Sequence, residues 1–149
     1  MTDTRALKTA VVGLIRRAAM EDELLLLSTA GRDDVGDAQR WAPAPTVAHN
    51  TQFKREQVAR LEAVLRHETP PEFAAVDHAS EATYRAFAAL SPTHVAEASR
   101  QTADDLVDSL LQLSDDDLID PSRHEWLRGR PLWLQVIVRG FLAPDRTRG

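Results

Sequence analysis

The stretch "PTVAHNTQFKREQVARLEAVLRH", Pro45–His67, decides how this chain folds. At an advance of about 100° per residue, Phe53, Val58, Leu61, Val64 and Leu65 fall on one broad apolar arc. A half-buried strand would alternate with period two, and this stretch does not. It therefore predicts an amphipathic helix that begins at Pro45–Val47 and runs to about His67. Pro43 and Pro45 set its start, because proline suits a first helical turn and not an interior. Asn50 and Gln57 fall inside the apolar arc, and His49 lies at its edge, in the first turn and expected half-exposed. The C-terminal half of the face is apolar and the N-terminal half polar. Buried polar groups need partners, so this end is expected to be wet or networked, as a ligand cavity would be.

The same periodicity extends in both directions. A first helix is expected from Thr2–Thr4, with Leu7, Val11, Leu14, Ala18 and Leu25 at helical spacing and Gly31 as its C-cap. "GRDDVGDAQR" is a polar loop. After the second helix, "HETPPEFAAVDHAS" makes a loop, and a short helix follows over Glu81–Leu90. "SPTH" restarts the chain, with Ser91 as N-cap and Pro92 at the first helical position. The next long helix presents Val95, Ala98, Thr102, Leu106, Leu110 and Leu113 on one face. "SDDDLIDP" is one further capped turn, with acids at the positive helix end. A last helix starts at Pro131, carries Leu132, Val136 and Gly140, and ends near Ala143, because Pro144 disfavours helix at the residue before it. No strand signal appears; Val136–Val138, the one β-branched run, sits inside a helical pattern. Four long amphipathic helices predict an all-α, single-domain four-helix bundle over residues 1–149, with a long connection between helices 2 and 3.

Bulk composition narrows the function. Of 149 residues, 43% are hydrophobic, and the net charge is −5, so a soluble globular domain is the default and a nucleic-acid surface, normally strongly basic, is not expected. There are no cysteines, which excludes disulfides, thiolate zinc sites and cysteine nucleophiles. Apolar runs such as Leu24–Leu27 are far shorter than the roughly 20 residues of a membrane span. No signal core opens the chain. A cytoplasmic protein is the expectation, and the leucines of Leu24–Leu27 allow a homodimer. No P-loop, GxGxxG or G-x-S-x-G motif is present.

"WAPAPTVAH" places Trp41 eight residues before His49 at the start of the second helix. This W-x7-H spacing resembles the DinB-like superfamily. "LQLSDDDLIDPSRHEWLRGRPLW", with Trp126, Gly129, Pro131 and Trp133, resembles the ClbS/DfsB branch of it, as does "DHASEATYRAFAALSPTHVAEASRQ". The resemblance covers most of the chain and implies a four-helix bundle with a cavity at one end. In many of these proteins three histidines hold a divalent metal there, one from the second helix and two from the last. His49 matches the first; the other two positions fall near Ala143 and Thr147, and "VRGFLAPDRTRG" contains no histidine. Arg139, permanently cationic, would repel a metal. The expectation is a site without metal or other cofactor. His67, His78, His94 and His124 form no H-x-x-x-H pair and read as surface histidines, while Asp115–Asp117 lack the spacing of a calcium loop.

What the resemblance implies is protection against, or modification of, a reactive natural product. His49 is the candidate catalytic base, since histidine ordinarily titrates near neutrality. Trp41, Asn50, Phe53, Gln57 and Trp133 are the candidate substrate-binding residues, the aromatic ones as flat walls. The partner expected is a small molecule, either hydrolysed or sequestered. Two alternatives stand beside this: a metal- and thiol-dependent transferase or isomerase like the mycothiol-linked relatives, and a non-catalytic bundle. Each residue also has a purely structural reading: His49 caps the helix, Asn50 bridges to a neighbouring helix, and Trp41 and Trp133 fill the core.

Overall fold

The computed structural model describes residues 4–28, 36–74, 76–77 and 80–140, with backbone alone at 138–140. All regular structure among them is helical. In order come α1 (Thr4–Ser28), α2 (Pro43–Leu65), α3 (Glu81–Ala88), α4 (Pro92–Gln112), α5 (Asp115–Ile119), a 3-10 turn (Glu125–Leu127) and α6 (Leu132–Gly140). Gly31, His78, Ala143 and Thr147 lie outside the described residues, and with them the expected ends of the first and last helices. No helix among the described residues is long and apolar enough to cross a membrane.

Local chemistry accounts for the boundaries. Ser80, Ser91 and Ser114 each accept a hydrogen bond from the backbone N–H three residues on, those of Thr83, His94 and Asp117, which satisfies one orphan donor at each helix start. Helix α2 begins two residues earlier than its pattern suggests, with both Pro43 and Pro45 inside its first turn. Proline is tolerated there because the first N–H groups of a helix have no intrahelical acceptor. Its other end closes with a Schellman arrangement: the N–H of His67 donates to Val64 O at 3.0 Å and that of Glu68 to Ala63 O at 2.8 Å. His67, at φ 60°, holds the left-handed position usually given to glycine.

Helix α4 is central, packed against α2 and α1; α2 also meets α1, α3 and α6, and α5 meets α6. One core unites them, with Val11 and Ile15 from α1, Val58, Leu61 and Val64 from α2, Leu106 and Leu110 from α4, and Leu132 and Val136 from α6. The expected face of α4 is correct but too narrow, since Ser99, Ala103 and Val107 are buried as well. A helix flanked on two sides buries more than one stripe. The expected stripe of α1 requires correction. Leu14 and Leu25 are exposed, and Ile15 and Asp22 are buried in their place. Apolar residues surround α1, so its periodicity alone does not choose the inner face.

Candidate functional site

The N-terminal part of α2 meets α3 and the loop before it. In that loop Asp37 accepts from the N–H groups of Gln39 and Arg40, both at 2.9 Å, forming a tight Asx turn. The turn presents Ala38 and Trp41 to Tyr84 of α3. Gly36 is required here: a Cβ would run into the backbone of Arg40 and Ala42 and lie 2.7 Å from Tyr84 Oη. Trp41 is thereby clamped, its ring 5.4 Å from that of Tyr84 and 5.6 Å from that of Phe87.

Against this plug stands His49. The early start of α2 puts it in the second turn, and it is 4% exposed, which corrects the expectation of a half-exposed first-turn residue. Its ring makes edge contacts with Trp41 at 5.5 Å, Phe53 at 4.6 Å and Phe87 at 5.5 Å. The imidazole thus sits in an aromatic box whose walls come from three segments, and Phe87, which sequence reasoning passed over, is one of them. The available signal was the pair Tyr84 and Phe87, three residues apart on one face of α3.

The next residues along α2 carry the polar network expected of this end. Lys54 Nζ donates to Asp22 Oδ2 of α1 at 2.9 Å, with both side chains nearly buried. Asn50 Nδ2 donates to the other carboxylate oxygen at 3.4 Å. Asn50 therefore bridges two helices, and Lys54 and Asp22 are additional members. Their signal was a charged residue at a core-spaced position, Asp22 lying seven residues after Ile15.

Gln57 completes the face of α2 at i, i+4 and i+8 from His49 through Phe53. It is 1% exposed, and among the described residues neither its Nε2 nor its Oε1 has a hydrogen-bond partner. Trp133, the remaining candidate, packs against the main core from α6, apart from the aromatic box. The structure thus brings Trp41, His49 and Phe53 together, sets Asn50 and Gln57 along the same helix, and places Trp133 with the core.

Two clefts accompany these residues. One of about 310 Å³ lies between α2, α3 and α4, lined in part by Ala48, Thr51, Phe87, His94 and Thr102, and shares Phe87 with the box. The other, about 450 Å³, lies at the C-terminal end of α2 and gathers His67, His124, Asp117, Arg123 and Trp126. Its histidines are far apart in sequence, and the pattern along one helix does not link them. His124 Nε2 is 2.7 Å from Asp117 O, and Arg123 Nε donates to Asp117 Oδ1 at 3.0 Å. No group of three histidine or acidic side chains among the described residues is placed to hold a metal ion.

No family model, no curated protein and no solved structure matches the chain.

Proposed function

We propose that this chain is a DinB-like four-helix bundle of the ClbS/DfsB type that binds an apolar, electrophilic small molecule at the His49 end and adds water to it. The observation that carries the reading is the buried, unpartnered amide of Gln57 on the same helix face as His49. A buried amide without partners costs about 1–3 kcal/mol, and such a cost is accounted for when a ligand supplies the missing hydrogen bonds. The aromatic rings around His49 suit a flat apolar substrate, and imidazole suits proton transfer near neutral pH.

In this reading His49 accepts a proton from water as the water oxygen attacks the electrophilic carbon. The carbon–heteroatom bond opens, and the proton passes to the departing heteroatom. Gln57 and Asn50 orient the substrate. The aromatic box also favours a second reading, in which the ligand is held without turnover.

Styrene oxide is a suitable probe, with its diol quantified. The wild-type protein is expected to form diol, and His49→Ala to slow this by about 10²–10⁴-fold, the range of a lost general base. Saturable binding of the epoxide with no diol would replace hydrolysis with sequestration. One equivalent of tightly held zinc or nickel in tag-free protein, lost in His49→Ala, would replace both with the metal- and thiol-dependent transferase. Gln57→Leu supplies a ligand-free check: it removes the orphan amide and is expected to raise stability by about 1–3 kcal/mol while weakening epoxide binding.

A further inference from the structure

The buried face of α1 runs through Thr4, Val11, Ile15 and Asp22. About 180° around the helix lies a second, solvent-exposed stripe. It reads Ala6, Ala10 and Gly13, then Arg17, then Met20, Leu24 and Leu27, with every member exposed. The spacing alternates four and three residues from end to end, which is the heptad seam of a coiled coil. The three large residues are 62%, 59% and 70% exposed.

The stripe is sorted by size and by charge. Its N-terminal half is small and its C-terminal half large. From Thr4 to Arg17 the helix carries only basic charges, and from Ala18 to Ser28 only acidic ones. A parallel pairing would set large on large, small on small and like charge on like charge. An antiparallel pairing about a two-fold axis at Arg17 sets Ala6 against the partner's Leu27, Ala10 against the partner's Leu24 and Gly13 against the partner's Met20. Each Arg17, which pairs with Glu21 of its own helix at 3.3 Å, then lies one turn from the partner's Glu21, so two guanidiniums and two carboxylates meet at the axis. The helix macrodipoles also oppose.

Gly13 supports the same arrangement. Glycine in a helix interior costs about 0.5–1 kcal/mol relative to alanine, and a Cβ at this position would touch nothing within 4 Å. Among the described residues nothing calls for a glycine there; a second helix approaching closely over Met20 does.

We infer that the outer face of α1 is a self-association surface that pairs antiparallel with α1 of a second copy of this chain through the Ala6–Leu27 stripe. The small-to-large and basic-to-acidic sorting makes the surface complementary to itself, as a two-fold interface must be. One helix pair is a modest interface, and modest interfaces associate reversibly.

Sedimentation velocity on the whole chain, from about 1 µM to about 1 mM, tests this. A concentration-dependent dimer is expected. Leu24→Lys, at an exposed site, should keep its helical circular dichroism and weaken the dimer about 100-fold or more, because it sets a cation against the apolar Ala10 and the basic half of the partner's helix. Gly13→Leu should also keep the fold and weaken the dimer. The chain has no native cysteine, so direction is read from oxidative cross-linking: mixed Ala10→Cys and Leu24→Cys proteins should give the hetero-linked dimer in preference to either homo-linked one. A monomer across the whole range, a dimer indifferent to Leu24→Lys, or homo-linked dimers in preference would each overturn the proposal.

Discussion

At the scale of single residues, two histidines show how backbone position sets what a side chain can do. His67 sits at φ 60°, where a Cβ crowds the following carbonyl at a cost of about 1–2 kcal/mol. His67→Gly relieves that strain and gives back part of it as unfolded-chain entropy, so a net gain of about 0.5–1 kcal/mol is expected in urea unfolding. A loss would mean that the ring's place beside His124 and Trp126 outweighs the strain. His49 is the opposite case, an unstrained helical residue whose importance lies in burial. Its contacts with Trp41, Phe53 and Phe87 mean that His49→Ala leaves a hole among aromatic rings, and a stability loss of about 1–3 kcal/mol is expected. The diol assay must therefore be run well below the melting temperature of that variant.

At the scale of the elements, charged side chains tie the long helices together in two different ways. Lys54 and Asp22 form a nearly buried pair between α2 and α1. Lys54→Met strands the carboxylate, with an expected loss of about 3–5 kcal/mol. Lys54→Met combined with Asp22→Leu removes both charges and should recover stability to the wild-type level or beyond it. A double variant as unstable as the single one would show that the pair itself holds α1 and α2 in place. Between α2 and α4 the tie is more exposed: Arg55 donates to Asp105 at 2.7 Å and to Thr102 at 2.9 Å. The hydrogen bond from Arg55, then that from Gln101, hold the Asp105 carboxyl below its usual range. A depressed carboxyl adds stability that is complete above the unfolded-state pKa and is lost as pH falls through the folded-state pKa. Carboxyl-carbon NMR should therefore find Asp105 titrating below an ordinary aspartate, and Arg55→Ala should move it upward. On the same helix, burial raises the Glu56 carboxyl, with Arg60 opposing. Its contribution has the opposite sign: it is present at low pH and lost as pH rises through the raised value.

At the scale of the whole molecule, stability rests on the core where α1, α2, α4 and α6 meet. Leu110 is fully buried within it, and Leu110→Ala is expected to cost about 2–5 kcal/mol through lost burial and a residual cavity. A cost under roughly 0.5 kcal/mol, the range of surface changes, would place Leu110 elsewhere. The helices themselves were legible in the sequence because their causes are local: serine caps at Ser91 and Ser114, prolines in first turns, and apolar residues at helical spacing. Trp41 beside His49 was legible too, since a short loop and one helix turn connect them. Three features were decided only by tertiary structure. The inner face of α1 depends on where α4 and α2 stand, because a helix apolar on two sides carries no local preference between them. Phe87 reaches His49 only because α3 folds back over α2. Asp22 and Lys54, 32 residues apart, are unremarkable separately and become a buried pair only when α1 lies against α2. Periodicity reports which side of a helix is apolar; which side is covered, and what a buried polar group meets there, depends on chain segments distant in sequence.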